Sequence, residues 1–198
     1  MDEVVIVDSG GANLASLQYA FERLGAHARI SSDAEHLLSA RRVILPGVGS
    51  ASHAMQRLQE CSLTRVLPAL TCPVLGICLG MQLLYESSDE GPVQCLGVLP
   101  GAARRLQPAP GRPVPHMGWN QLESLVEDPL LEGVTAGEYV YFVHSFAVSV
   151  NATTLATSDY GGPLTAVARH ENFWCTQFHP ERSAAVGARI LENFLRVP

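Results

Sequence analysis

A thiol framed by glycines and an imidazole two positions from a carboxylate are the residues here most able to do chemistry. The thiol is Cys78 in G-I-C-L-G, between Gly76 and Gly80; the second pair is His179 and Glu181, separated by Pro180 in Q-F-H-P-E-R. The stretch PVLGICLGMQLL (73–84) begins as a buried strand and continues with apolar residues at helical spacing, so Cys78 falls at a strand-to-helix corner. Two flanking glycines let a nucleophile take a strained conformation clear of both elements, as in the G-x-S-x-G elbow with sulfur in place of oxygen. A sulfur at a helix N-terminus is favoured as thiolate, and the amide of Leu79 points to where an oxyanion would form. The motif alone equally suits a buried cysteine in a tight turn.

A thiolate needs a base, and the base needs an orienter. Pro180 fixes a turn after a strand, so that Glu181 can fold back on one ring nitrogen of His179 and leave the other free. A third segment, LPGVGS (45–50), follows a strand and carries Gly47, Val48 and Gly49. It reads either as an ordinary turn or as the second half of an oxyanion hole with Leu79, at the sheet edge where open parallel sheets bind ligands. The combined chemistry is acyl transfer: thiolate attack on a carbonyl, protonation of the leaving group by His179, then hydrolysis of a thioester.

The elements that must position these groups are legible in outline. Strand patterns at 3–8, 27–31, 41–45 and 73–77 alternate with helical patterns at 13–24, 34–39, 51–60, 63–70 and 79–85, with Asp33 as a cap for the second helix. Such βαβ order predicts an α/β fold, an open mostly parallel sheet with helices on both faces. The second half has short strand-like segments with turns between, which predicts an antiparallel extension at one edge. An amphipathic helix over 183–195 closes the chain. With no linker, repeat or low-complexity stretch, residues 1–198 are expected to form a single domain.

Composition narrows the function. The net charge is -6, hydrophobic residues make up 47% and charged ones 16%, and all thirteen basic residues are arginine. A nucleic-acid partner is excluded by the lack of a basic cluster, and lysine chemistry by the absence of lysine. No apolar run is long enough for a membrane span, and an acidic start running into a strand argues against a signal peptide. A cytoplasmic location is expected, with the five cysteines reduced. No Cys/His cluster has zinc spacing, so neither metal nor other cofactor is expected.

Taken together, PGVGS, GICLGMQLL and QFHPERS resemble the class I, triad-type glutamine amidotransferases, over essentially the whole chain. DSGGANLASLQ, VPHMGWN (114–120) and YFVHSF (141–146) are further similar to the glutaminase subunits of imidazole glycerol phosphate synthase. The resemblance implies hydrolysis of L-glutamine to glutamate and ammonia by Cys78, His179 and Glu181. It also implies a (βα)8-barrel cyclase as heterodimer partner, which receives the ammonia and makes imidazole glycerol phosphate and aminoimidazole carboxamide ribotide in histidine biosynthesis. Such a barrel needs roughly 200 to 250 residues of its own, so it must be a separate chain. Gln82 is implied to hold the glutamine, with His144, Ser145 and Phe146 lining the same pocket. VPHMGWN is expected as a strand-edge loop in which Trp119 makes apolar contact. Ser9, Ala12, Ala51, Phe146 and Arg182 depart from the family pattern, and Ser9, Ala12 and Arg182 are expected to bear on the partner-facing surface or its regulation. Rival readings are the glutaminase of another amidotransferase, such as the pyridoxal phosphate synthase type, a γ-glutamyl hydrolase on the same fold, and a non-catalytic binding subunit.

Overall fold

The computed structural model describes residues 3–9, 14–47 and 49–198. In chain order the regular elements are β1 (Glu3–Val7), α1 (Leu14–Arg23), β2 (His27–Ser31), α2 (Ala34–Leu38), β3 (Arg42–Leu45), α3 (Ala51–Glu60), α4 (Leu63–Val66), β4 (Val74–Ile77) and α5 (Leu79–Leu84). There follow β5 (Ser87–Ser88), β6 (Val93–Gln94), β7 (Ala102–Arg105), β8 (His116–Gln121), β9 (Tyr139–His144), β10 (Phe146–Val148), β11 (Thr154–Asp159), β12 (Pro163–His170), β13 (Phe173–Thr176) and α6 (Ala184–Phe194). Short 3-10 turns occupy Leu67–Ala69, Pro129–Leu131 and Pro180–Arg182.

The main sheet has seven strands in the order β11-β12-β13-β4-β3-β1-β2. Its five strands from β2 to β13 run parallel, and β12 and β11 add the antiparallel edge. Helices cover both faces. Val4 and Ile6 of β1 pack with Leu17 and Phe21 of α1 and Ile190 and Phe194 of α6, while Val5 and Val7 face the layer containing Leu37, Leu58 and Leu63. Strands buried on both faces need apolar residues at every position, which is why β1, β3 and β4 read as unbroken aliphatic runs.

Several elements begin and end where local chemistry dictates. Asp33 accepts a hydrogen bond from the Glu35 amide and caps α2. The expected helix over 63–70 gives way to a 3-10 turn at Leu67, because Pro68 cannot donate to a helical ladder. The last helix starts at Ala184, since the hydroxyl of Ser183 is not used as a cap: it donates to the His179 carbonyl at 2.7 Å and accepts from the Tyr141 amide at 2.9 Å.

The second half of the chain is more dispersed than a single edge extension. β13 enters the middle of the main sheet, parallel to β4, with Phe173 opposite Val74 and Thr176 opposite Ile77. β5, β6, β7 and β10 form a separate four-stranded sheet, and β8 and β9 an antiparallel pair. The VPHMGWN segment is therefore mostly strand, where a loop was expected.

The loop after β3 crosses directly over the corner after β4. A Cβ on Gly80 would overlap the Leu45 carbonyl oxygen, and one on Gly47 would lie 2.5 Å from both the Gly80 nitrogen and the Leu79 Cβ. These glycines are required by crowding, not by turn geometry. Gly80→Ala is accordingly expected to lower stability by about 3 kcal/mol or more, read as the midpoint of chemical unfolding or as loss of soluble protein. A midpoint equal to that of the unsubstituted chain would show that the two segments are not interlocked.

Candidate active site

Pairing of β4 with β13 brings together residues about a hundred positions apart. The Cys78 amide donates to the Thr176 carbonyl at 2.7 Å, which puts Cys78 and Gln177 side by side at the carboxyl ends of adjacent strands, with His179 just beyond. Cys78 has φ 53° and ψ -110°, a backbone conformation that side chains other than glycine seldom take. That strain turns its side chain out of the corner and into a cavity of about 330 Å³. The cavity is lined by all three candidate groups that touch the reacting centre: Cys78, His179 and the backbone of the loop after β3 at Gly47 and Gly49. Leu79, Gln82, Glu90, Pro115 and the 143–146 segment complete it.

His179 is nearly buried, and its Nδ1 lies 2.8 Å from Oε1 of Glu181, whose side chain is 2% exposed. The Pro180–Arg182 turn produces this approach, and the His179 amide is tied to the Tyr141 carbonyl at 3.0 Å. A carboxylate accepts, so Nδ1 carries the proton and Nε2 is left free, in a residue that lines the same cavity as Cys78. Burial alone would make the imidazole less basic. Its interactions with Cys78 and Glu181 outweigh that effect, and hold His179 well above its ordinary 6.5.

The thiol has two further neighbours. Its sulfur is 3.7 Å from the Val143 carbonyl and 3.8 Å from Nε2 of Gln177. Gln177 is fully buried and was not apparent from the sequence; the available signal is its position in register beside Cys78, which only the strand pairing reveals. Glu90 was also missed. It lines the cavity while its Oε2 accepts from the Ala51 amide at 2.9 Å.

The remaining predicted residues fall as follows. Gln82 lines the cavity, but its amide nitrogen is already engaged, donating to the Phe146 carbonyl at 2.9 Å and to Oε1 of Gln177 at 3.1 Å. His144, Ser145 and Phe146 form one wall. Gly49 has φ +96° with open space where a Cβ would be, so glycine is needed there for its backbone angle. Val48 and Ala12 lie outside the described residues. Ser9 is buried, its hydroxyl 3.4 Å from the Pro46 carbonyl, so it touches the loop after β3 and not an exposed surface. Arg182 is exposed, with its guanidinium 4.8 Å above the Tyr141 ring. Among the described residues no group of three or more His, Cys, Asp or Glu is placed to hold a metal ion, and no helix is long and apolar enough to cross a membrane.

The model of the family described as glutamine amidotransferase class-I matches residues 5–197. The chain belongs to the class I glutamine amidotransferases. Within this family it is 54% identical over 197 residues to the imidazole glycerol phosphate synthase subunit HisH of Xanthomonas euvesicatoria pv. vesicatoria, covering 100% of this chain and 98% of that one. The HisH subunit of Xylella fastidiosa strain Temecula1 matches with the same identity and coverage. Such likeness makes this amidotransferase an enzyme subunit of the HisH type. Among solved structures, a glutamine amidotransferase matches with a TM-score of 0.75 at 23% identity, covering 98% of this chain and 97% of that one. The structure of PurLQS from Thermotoga maritima matches with a TM-score of 0.72 at 20% identity, covering 98% of both chains. At these identities the structures bear on the fold, and the expected α/β architecture agrees with them.

The histidines of this amidotransferase give its stability two opposed pH dependences. Burial pushes His116 and His144 each down to about 4, so the unfolded chain binds more protons than the folded one between 6.5 and about 4. Stability is lost as pH falls through that window. His179 is shifted the other way, so the stability it contributes is present below 6.5 and lost as pH rises above it. Thermal midpoints measured from pH 4.5 to 9 should therefore peak near 6.5. Glu181→Gln should flatten the alkaline limb while leaving the acid limb in place, and an unaltered alkaline limb would contradict the assignment to His179.

Proposed function

We propose that this chain is the glutaminase subunit of an imidazole glycerol phosphate synthase. It hydrolyses L-glutamine through Cys78, His179 and Glu181 and passes the ammonia to a (βα)8-barrel cyclase subunit in a cytoplasmic heterodimer. The single observation that carries the reading is that Cys78 and His179 line one cavity of about 330 Å³, with Glu90 also in the lining and Glu181 Oε1 2.8 Å from Nδ1 of His179. The similarity to HisH subunits over the full length supports the choice of reaction and partner. Residues 1–198 act as one domain in this account, because β13 from the far end of the chain is inserted beside β4.

The steps follow from the geometry. The Cys78 thiolate attacks the side-chain carbonyl carbon of glutamine while His179 holds the proton. The oxyanion is received by backbone N–H groups of Leu79, at the first turn of α5, and of the loop formed by Gly47, Val48 and Gly49. His179 then gives its proton to the departing nitrogen, which leaves as ammonia, and a thioester remains on Cys78. Water attacks the thioester with His179 as base, releasing glutamate and restoring the thiolate–imidazolium pair. Glu181 keeps Nε2 turned toward sulfur throughout. Glu90 offers a carboxylate for the substrate ammonium, and the wall at His144, Ser145 and Phe146 flanks its side chain. Gln82 contributes by holding that wall, since its donors are already committed.

Ammonia released into water near neutral pH becomes ammonium and ceases to be a nucleophile, which is the physical reason for delivery into a partner along a closed path. The β8–β9 pair offers a surface for that partner. Its inner face carries His116, Phe142 and His144, all buried, while Met117, Trp119 and Tyr139 on the outer face are more than half exposed. Apolar aromatic surface next to the site suits a permanent interface.

With the barrel partner present, Cys78→Ala should lower glutamine-dependent turnover by about 10⁴-fold or more while ammonia-dependent synthesis continues. His179→Ala should be nearly as damaging, and Glu181→Ala less so. Loss of ammonia-dependent synthesis in Cys78→Ala would count against the assignment. Trp119→Ala should weaken association with the barrel by about tenfold or more, measured by titration calorimetry, with the unassociated chain still folded; unchanged affinity would move the interface elsewhere.

A further inference from the structure

Two buried histidines, His116 and His144, are not used as acid or base in the steps above. Their hydrogen bonds admit one proton arrangement. Nδ1 of His144 lies 2.8 Å from the Phe146 carbonyl, which can only accept, so Nδ1 is protonated and Nε2 is a bare lone pair. That lone pair is 3.0 Å from Nδ1 of His116, which must therefore donate. Nε2 of His116 is then an acceptor, and the Asn120 amide nitrogen faces it at 3.4 Å. The His116 ring is held between Tyr160, at 3.8 Å and 18°, and Phe142, at 4.8 Å and 21°.

The chain changes sheets at this point. β9 ends at His144 and belongs with β8, whereas β10 begins at Phe146 and belongs with β7, so Ser145 is a corner between two sheets and part of the cavity wall. The bond from His144 to Phe146 braces that corner. The Phe146 carbonyl receives its second hydrogen bond from Gln82, which also fixes Gln177, and Gln177 contacts the Cys78 sulfur. Each link leaves the next a single orientation. Two aromatic hydrocarbons would fill the same space without the cost of burying polar rings. The imidazoles are explained by what their hydrogen bonds orient.

We infer that His116, which does not line the cavity, is a positioning residue. Through His144 it fixes the Phe146 carbonyl, and so holds the corner at Ser145 and the Gln82 side chain in the shape that admits the amide side chain of glutamine. The inference rests on the glutaminase reading and adds to it a residue that acts on substrate binding without touching substrate.

The test is steady-state kinetics with L-glutamine, on the chain combined with its barrel partner, together with thermal midpoints. His116→Phe keeps the stacked ring and removes the donor. It should raise KM for glutamine about five- to tenfold, as expected for one lost hydrogen bond, with kcat within about twofold. His116→Asn keeps a donor near the Nδ1 position and loses the ring; it should return KM to within about twofold of the unsubstituted enzyme while lowering the thermal midpoint more. Should the phenylalanine variant not fold, His116→Asn against His116→Ala gives the same contrast, since both lack the ring and only one donates. A KM that follows the thermal midpoint, and not the presence of a donor, would overturn the inference and leave His116 as packing. No turnover of glutamine by the unsubstituted complex would overturn the glutaminase reading itself, an outcome distinct from normal turnover with an unmoved KM in the variants.

Discussion

Everything at the site depends on four parallel residue pairs, Phe173–Thr176 of β13 against Val74–Ile77 of β4. Side chains alternate between the two faces of a strand, so a slip of one residue would send Gln177 to the wrong side and displace His179 from the sulfur. The register is held by burial: all eight residues are buried, and the Cys78 amide continues the ladder by one bond to the Thr176 carbonyl. The geometry of the candidate site and the packing of the core are thus the same constraint, and neither can be altered without the other.

A second layer of order comes from polar groups that have no room to choose. Glu181 Oε1 sets the tautomer of His179, the Phe146 carbonyl sets that of His144, and the same carbonyl orients Gln82 and through it Gln177. In a low-dielectric interior such bonds are stronger than in water, and an unmet partner is correspondingly costly. The arrangement explains why Gln82, His116, His144, Gln177 and His179 are all buried in or beside one small cavity.

Much of this was legible in the sequence because the signals were local. Aliphatic runs gave β1 to β4, helical spacing gave α1 to α3, and Asp33 marked the start of α2. The glycine-framed Cys78 and the proline between His179 and Glu181 announced their geometry, since each imposes a backbone turn that few other residues tolerate. The illegible parts depend on partners distant in the chain. FWCT follows β12 closely enough to read as the end of an edge hairpin, and nothing in its composition says that its other neighbour is β4. VPHMGWN is expected only as a strand-edge loop among short strand-like segments, and nothing local to it says that it pairs along its length with β9. Gln177 and Glu90 have no signature at all: an amide beside a histidine and an acid in a turn gain meaning only from what the fold sets opposite them.

The central position of β13 bears on how the chain emerges from a ribosome. Until residues 173–176 are made, β4 is a bare edge at the flank of a half-built sheet, a template for unwanted pairing with other chains. For the roughly one hundred residues of synthesis that separate Cys78 from His179, the nascent polypeptide carries the thiol without the imidazole that the finished fold sets in the same cavity.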